Sequence, residues 1–382
     1  MKNQKICIIG GSLTGLATAI SLSKLDCEID LVMGNLNQNL KSSRTIAISE
    51  NNFDYLNNLN ISNDLKKIVW KCSVLKLYTE NKKEKFSEIF EINNENKKEK
   101  ILYMVENSKL MKLMINKIKQ IKSISVKSHK KVSSILDSGL LKSVKFNKNI
   151  SKYNLVIICA GYKSGLIKNI FNEKMIENSY NELAITTILN HSLHKNNTVR
   201  QIFLKNEILA LLPISSTRTS IVWSVKNDMR RKSNLFLQKK ITTYAENFLK
   251  NIKFVTNIEF KELNFLIRSK YHLDRTLLFG DALHMIHPFV GQGFNMTLRD
   301  LASLEKVLTQ KVNLGLDIGS PDILSKFSNE VRPRNFAFSI GTNLLKNSFS
   351  NSKLRNEVLK TLNKSNFAKN VFFEIANKGL RF

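Results

Sequence analysis

The stretch Lys5-Ile-Cys-Ile-Ile-Gly-Gly-Ser-Leu-Thr-Gly15 decides how this chain folds. Residues 5 to 9 form a short run rich in β-branched side chains, which is typical of a buried strand. Apolar residues at helical spacing follow up to Leu22, and a second strand is predicted at about residues 28 to 33. Strand, helix and strand in this order form a βαβ unit. The apolar N-terminal segment is therefore predicted to belong to the fold and not to a cleaved secretion signal.

The turn from Gly10 to Gly15 fits a dinucleotide-binding loop, in which glycines allow a tight turn, close approach of a pyrophosphate and helix packing on the strand. Phosphate oxygens then meet the N–H groups of the helix N-terminus. Two positions depart from the pattern. Ser12 replaces the second glycine, and Met33 stands where an acidic residue normally holds the ribose. By itself this motif is weak evidence for cofactor binding, and a turn that binds no cofactor stays an alternative.

Composition narrows the class of protein. The 382 residues are 42% hydrophobic and contain 60 Lys and Arg against 31 Asp and Glu, a net charge of +29. A folded globular protein with an ample core is predicted, and no apolar run reaches the length of about 18 residues that a membrane span needs. The lysines are scattered and no nucleic-acid motif accompanies them, so no nucleic-acid partner is predicted. Four dispersed cysteines indicate a reducing compartment.

Further along the chain, strands are predicted at 154–159 and 275–280, and helices at 53–60 and 108–120. Residues 91–100 are expected to form an exposed loop, and residues 297–382 are expected to be mainly helical. Four short strands predict an antiparallel sheet inserted into the first module: Leu183–Leu189, Val199–Leu204, Ile208–Pro213 and Ser220–Val225. In the C-terminal helices, core positions are predicted for Phe336, Phe338, Leu344, Leu345 and Phe349.

The sequence GDALHMIHPFVGQGFN, residues 280–295, is the more specific motif. A buried strand would deliver Asp281 to its carboxyl end, where a carboxylate can accept hydrogen bonds from a polyol chain. The proline redirects the chain, and Gly291 and Gly293 leave the backbone bare so that a flat ring can lie against it. A helix beginning near Phe294 would direct its N–H groups and positive dipole end at an anion formed on that ring.

His284 and His287 in this motif are spaced like metal ligands. No third ligand lies nearby in the sequence, and Pro288 breaks any helix that would align the two side chains. A structural role or a place at the edge of a ring is therefore predicted for them, and no metal site.

With these motifs the chain resembles the flavin-dependent aromatic hydroxylases, and within them the hydroxylases of ubiquinone biosynthesis. The resemblance covers nearly the whole length. Its further segments, in chain order, are Arg44-Thr-Ile-Ala-Ile-Ser49, Tyr103-Met-Val-Glu-Asn107, Leu211-Leu-Pro213, Ser220-Ile-Val-Trp223 and Phe349-Ser-Asn351.

The resemblance implies a para-hydroxybenzoate hydroxylase-like α/β fold: a Rossmann-like FAD-binding domain with a parallel sheet, an inserted antiparallel β-sheet domain for the substrate, and C-terminal helices. The predicted FAD domain is discontinuous, the sheet domain has two parts, and one helical region follows. Their boundaries are 1–72, 96–174 and 265–330 for the FAD domain, 73–95 and 175–264 for the sheet domain, and 331–382 for the helices.

The same resemblance implies site residues. FAD contacts are expected from Gly10, Ser12, Leu13, Thr14, Gly15, Met33, Arg44, Asn107, Val132, Gly161, Asp281, Gly291, Gly293, Phe294 and Asn295. The residues expected around the reacting ring, taken as catalytic, are Pro288, Gly291, Gln292, Gly293 and Asn295. Asn107, Val132 and Glu182 are weaker candidates, and for each of them a purely structural role is an equal alternative.

The implied activity is hydroxylation of the aromatic ring of a polyprenylated phenol or quinol in ubiquinone biosynthesis. Its reactants would be FAD, molecular oxygen and NAD(P)H or another electron donor, with oxygen transferred from a flavin hydroperoxide. Because a polyprenyl tail stays in the bilayer, a cytoplasmic protein in reversible contact with the inner face of the membrane is expected. Other ubiquinone-biosynthesis proteins are candidate partners.

One departure from the family bears on catalysis. Cys159-Ala160-Gly161 stands where the family carries Ala-Asp-Gly, and Ala160 has no carboxylate to offer to the cofactor or the reductant. Two alternatives stay open. One is a hydroxylase of another small aromatic substrate, and the other is a catalytically weakened flavoprotein-like partner in a biosynthetic complex.

Overall fold

A computed structural model describes residues 4–34, 40, 42–82, 85–95, 100–128, 132–147, 149–171, 175–288, 291–348 and 352–378. A six-stranded sheet forms its first layer. With strands numbered in chain order, the spatial order is β19 (His272–Leu273), β20 (Thr276–Leu278), β12 (Leu155–Ile158), β1 (Gln4–Ile9), β2 (Cys27–Met33) and β8 (Ile124–Ser128). All neighbours pair in parallel except β19 with β20. The predicted parallel sheet is confirmed.

The helices agree with the predicted pattern, with one correction. All ten residues of α1 are buried against the sheet, which explains its apolar sequence. The helix predicted at 53–60 begins earlier, at Glu50, and a kink at Asn60, whose φ is +59°, separates α2 from α3. The helices are α1 (Leu13–Leu22), α2 (Glu50–Leu56), α3 (Ser62–Ile68), α4 (Asn107–Lys119), α5 (Gly165–Ile170), α6 (Asn234–Ala245), α7 (Gln292–Val312), α8 (Pro321–Ser348), α9 (Ser352–Lys364) and α10 (Asn366–Lys378).

A nine-stranded sheet forms the second layer. Along its main path the strands are β21 (His284–Met285), β18 (Glu259–Arg268), β13 (Met175–Asn190), β16 (Arg218–Lys226), β15 (Ile208–Pro213), β14 (Thr198–Phe203), β5 (Val74–Lys82) and β6 (Lys85–Asn93), while β17 (Lys253–Phe254) pairs with β13. The four predicted strands between 180 and 225 are all present. Strand β6 runs into the segment predicted as a loop, of which residues 96–99 lie outside the described residues.

Two smaller three-stranded sheets complete the fold. One has the order β3 (Thr45–Ser49), β7 (Leu102–Glu106), β4 (Trp70–Cys72), and the other β11 (Asn149–Tyr153), β10 (Leu141–Phe146), β9 (Val132–Ser138). Residues 73–95 and 175–264 contribute strands to the same nine-stranded sheet. The predicted boundary between 264 and 265 falls inside β18.

Successive side chains of β13 point to opposite faces of the large sheet. Leu183 and Ile185 pack in a core with Trp223 and helix α6. The opposite face carries Ala184 and Thr186, and the Thr186 hydroxyl lies 3.4 Å from that of Ser43, near the β3 strand. This second face therefore lies toward the segment that leads into β3.

The predicted core positions in the C-terminal helices were partly wrong. Phe338 is buried, but Phe336 and Leu344 are 46% and 59% exposed. The side chain of Leu345 and the residue Phe349 lie outside the described part of the chain. Helical periodicity predicts which residues share one side of a helix, but it does not show how much of that side is covered by neighbouring elements. Two of the five predicted core residues are therefore found facing solvent.

Candidate active site

The first glycine turn brings three elements into contact. Gly10 has a φ of +135°, and a Cβ added there would lie 2.8 Å from the carbonyl oxygen of Cys159, at the end of β12. A Cβ on Gly15 would lie 1.9 Å from the Gly10 oxygen. The side chain of Ser12, the N-cap residue, is exposed at the start of α1. The turn thus opens at the N-terminus of a buried helix, where backbone N–H groups are free to bind an anion.

The second motif meets the first at Thr14. Gly280 has a φ of +64°, and a Cβ added there would lie 2.6 Å from Cγ2 of Thr14. Asp281 follows in a short 3-10 turn with its side chain exposed. The carboxylate therefore lies at the carboxyl end of β20, beside the start of α1, where a sugar or polyol linked to a bound phosphate can be held.

The start of α7 meets strand β3. Gly291, the N-cap of α7, has a φ of +65°, and a Cβ there would lie 2.9 Å from Cβ of Ala47. The amide of Asn295 is fully buried and joins these elements. Its Oδ1 accepts from the backbone N–H of Ser49 and from the Asn52 amide, each at 3.0 Å, and its Nδ2 donates to the Ala47 carbonyl at 2.8 Å.

A lysine that the sequence analysis missed lies between two expected FAD residues. Lys261 is on β18, and its amine is within electrostatic range of both Asp281 and Arg44. Burial lowers the pKa of Lys261, Asp281 raises it and Arg44 lowers it, with a net decrease. Lys261 is nevertheless exposed to solvent. An isolated lysine in a strand carries no sequence signal for this position.

Other expected FAD residues are more internal. The side chains of Met33 and Val132 pack in the main core, so only their backbone is available to a ligand. The Asn107 amide is buried and lies 3.6 Å from the sulfur of Met111, while its backbone N–H donates to the Arg44 carbonyl. Leu13 is 7% exposed, also in the main core.

Two of the expected glycines, Gly161 and Gly293, border open space. A Cβ added to Gly161 or to Gly293 would meet no atom of the structure within 4 Å. Gln292, which precedes Gly293, is 3% exposed. Its amide nitrogen and oxygen both lack a hydrogen-bond partner among the described residues. A buried amide without partners is costly, which indicates that a ligand completes this place.

Both histidines of the second motif pair with carboxylates. His284 Nε2 lies 2.9 Å from Oδ2 of Asp300, and His287 Nε2 lies 3.2 Å from Oε2 of Glu182. The Lys346 amine donates to Oε1 of Glu182 at 2.7 Å. Pro288 follows His287 directly, so this polar cluster borders the loop that leads to α7.

A cavity of about 140 Å³ lies next to the Glu182 cluster, on the face of the large sheet that carries Ala184 and Thr186. Phe203, Ile208 and Ser224 lie in one row across paired strands, and the row continues to Ala184 and Lys261. The cavity lining is Glu182, Phe203, Leu204, Lys205, Asn206, Glu207, Ile208, Ser224, Lys226, Lys346 and Arg355.

These residues fit an FAD molecule. The turn at Gly10 and the first turn of α1 suit its pyrophosphate, Asp281 suits its ribityl chain, and the bare backbone at Gly293 with the unpartnered Gln292 amide suits its ring. The structure thus brings together the turn from Gly10 to Gly15, Arg44, Asp281 and the start of α7, which lie far apart in sequence.

Comparisons with known proteins agree with this geometry. A family model described as FAD binding domain matches residues 3–337. Ubiquinone biosynthesis monooxygenase COQ6, mitochondrial, of Dictyostelium discoideum is 24% identical, over 97% of this chain and 90% of that protein. Ubiquinone hydroxylase UbiL of Rhodospirillum rubrum is 29% identical over 45% of this chain and 41% of that protein. The solved structure of p-nitrophenol 4-monooxygenase PnpA from Pseudomonas putida has the same fold, with a TM-score of 0.81, 13% identity, and coverage of 100% of this chain and 99% of that one.

Proposed function

Because this chain belongs to the FAD-binding domain family, we propose that it is an FAD-dependent monooxygenase which hydroxylates the aromatic ring of a polyprenylated phenol or quinol in ubiquinone biosynthesis. The family and the FAD cofactor predicted from sequence are confirmed by the match over residues 3–337. The substrate class is taken from the relatives.

One observation carries the proposal: the close packing of Thr14 against Gly280 joins the glycine turn at the start of α1 to the Asp281 carboxylate. When bound, FAD supplies the oxygen chemistry. The chain's own contribution is positional and electrostatic. The N-terminus of α7 stabilises negative charge on a ring beside Gly293, and the two sheet layers hold the substrate away from water.

The experiment is turnover of the purified protein reconstituted with FAD. A phenol with a short prenyl tail and the same phenol without a tail would be incubated under ¹⁸O₂ with NADH, NADPH or a chemical reductant. We expect one labelled oxygen atom in the ring of the prenylated product, and no product without FAD or under nitrogen. An FAD-loaded protein that forms no labelled product with any donor would contradict the proposal.

Contact with an anionic membrane surface belongs to the same proposal. Among the described residues, no helix is both long and apolar enough to cross a bilayer. The C-terminal helices expose apolar side chains, and the net charge of +29 complements anionic lipid. The exposed residues are Phe336, Leu344, Val358 and Phe367.

Flotation with vesicles tests this contact. We expect the protein to float with phosphatidylglycerol vesicles and less with neutral ones, and Leu344→Ser together with Phe367→Ser to weaken flotation. Leu140→Ser is the matched control, because Leu140 is equally exposed at 79% but lies on the β9–β10 hairpin. Equal lack of binding to both vesicle types would remove the membrane proposal and leave the hydroxylase proposal intact.

A further inference from the structure

Glu182 is the centre of a polar cluster at the edge of the cavity. Its Oε1 accepts from the Lys346 amine at 2.7 Å and its Oε2 accepts from His287 Nε2 at 3.2 Å. The side chains of Glu182 and Lys346 are 17% and 16% exposed, and that of His287 is 2% exposed. The Tyr180 ring packs edge-on against the imidazole, with ring centres 5.3 Å apart, and the Lys346 amine lies over the same ring.

The charges in this cluster can be assigned. Burial alone would raise the pKa of Glu182, but the bonds from His287 and Lys346 outweigh it, and the pKa is lowered. Burial lowers the pKa of His287 despite the neighbouring carboxylate. At neutral pH Glu182 is therefore a carboxylate and His287 a neutral imidazole, which donates its Nε2 proton to Glu182. An ionised carboxylate can only accept hydrogen bonds.

The carboxylate keeps acceptor capacity toward the cavity. Each of its oxygens has two lone pairs, and the protein bonds described above use one on each oxygen. Apolar side chains of Phe203 and Ile208 line the same cavity, together with Ser224. The remaining lining is mostly polar and charged, so a ring could pack on this apolar part while its hydroxyl meets the carboxylate. Pro288, directly after His287, connects the cluster to the loop before α7.

We propose that Glu182 determines substrate specificity by accepting a hydrogen bond from a ring hydroxyl, so that the cavity binds phenols and quinols in preference to their ethers and to quinones. This inference rests on the proposed function, because it assigns the substrate of that reaction to this cavity. Lys346 and His287 are positioning residues that hold the carboxylate in place. An ether or a quinone offers only acceptor oxygens there, which cannot donate to the carboxylate and face its negative charge instead.

Isothermal titration calorimetry of the FAD-loaded protein tests the inference without turnover. The probes are a phenol with a short prenyl tail and its methyl ether. We expect the wild-type protein to bind the phenol at least tenfold more tightly. Glu182→Gln keeps the shape and the acceptor for Lys346 but removes the charge, and we expect it to reduce the preference to about threefold or less.

Glu88→Gln is the matched control, because Glu88 also pairs with a lysine, at 2.9 Å from the Lys76 amine, but on the β5–β6 hairpin and outside the cavity lining. Equal affinity of the wild-type protein for phenol and ether would overturn the inference, and this measurement requires no variant. An unchanged preference in Glu182→Gln would overturn it as well. A protein that binds phenol selectively but produces no labelled product would contradict the hydroxylase proposal alone.

Discussion

Thr14 and Gly280 pack against each other across the two halves of the expected FAD site, so closely that a Cβ added to Gly280 would lie only 2.6 Å from Cγ2 of Thr14. Gly280 also has a φ of +64°, which L-residues with side chains adopt at a cost. Both the backbone conformation and the space therefore favour glycine. The contact determines how close Asp281 lies to the phosphate-binding turn.

Gly280→Ala is expected to lower the free energy of unfolding by about 2–4 kcal/mol, from backbone strain and overpacking together. FAD affinity should fall too, because Thr14 or the turn must move. Gly139→Ala is the control, since Gly139 has a φ of +63° but open space around it. Urea denaturation and FAD titration measure both effects. If the two variants lose equal stability, the contact with Thr14 is unimportant.

Asn295→Ala is expected to destabilise the protein by about 2–4 kcal/mol, because it leaves several buried donors and acceptors of β3, α2 and the α7 start unpaired. Chemical denaturation measures the loss. Asn313→Ala, at the exposed C-terminal end of the same helix, should change the free energy of unfolding by less than about 0.5 kcal/mol. A similar small effect for both variants would refute the structural role of Asn295.

Lys261→Met is expected to weaken FAD binding about five- to tenfold at low salt, because it removes a positive charge within electrostatic range of Arg44 and Asp281, two expected FAD residues, and FAD is an anion. The difference from wild type should shrink as salt is added. Fluorescence titration of FAD follows both trends, with the exposed Lys270→Met as control. Unchanged affinity in Lys261→Met at low salt would place the lysine outside the cofactor's reach.

The free energy of unfolding is expected to fall as the pH is lowered from 8 to 5.5. Burial lowers the pKa of His191, His272 and His287 below the ordinary value of about 6.5. Below that pH the unfolded chain binds protons that the folded protein does not, so stability present above pH 6.5 is lost as the pH falls.

Urea denaturation at pH 8, 6.5 and 5.5 checks this dependence. Glu182 and Glu305, whose pKa values are also lowered, contribute only near pH 4.5 and below, outside the tested range. His272→Gln removes one titrating group and should make the loss between pH 6.5 and 5.5 smaller. The histidine explanation fails if wild type is equally stable at pH 8 and 5.5.

Local sequence determined the elements whose residues are neighbours in the chain. The run before Gly10, the buried helix up to Leu22 and the four strands between 180 and 225 follow from periodicity and turn residues, which act over a few residues. Phe336 and Leu344 show where this reasoning ends. Their spacing predicts a helix, but only the packing of neighbouring helices decides which of its sides is covered.

The sequence by itself therefore determined a βαβ unit, its glycine turn and the motif at 280–295, and through resemblance the family. Only the tertiary structure decided which distant residues meet: Thr14 with Gly280, Lys261 with Arg44 and Asp281, and Glu182 with both His287 and Lys346. The physical reason is that a site at a junction of two sheet layers depends on strand register and packing. These bring together residues that share no local pattern in the chain.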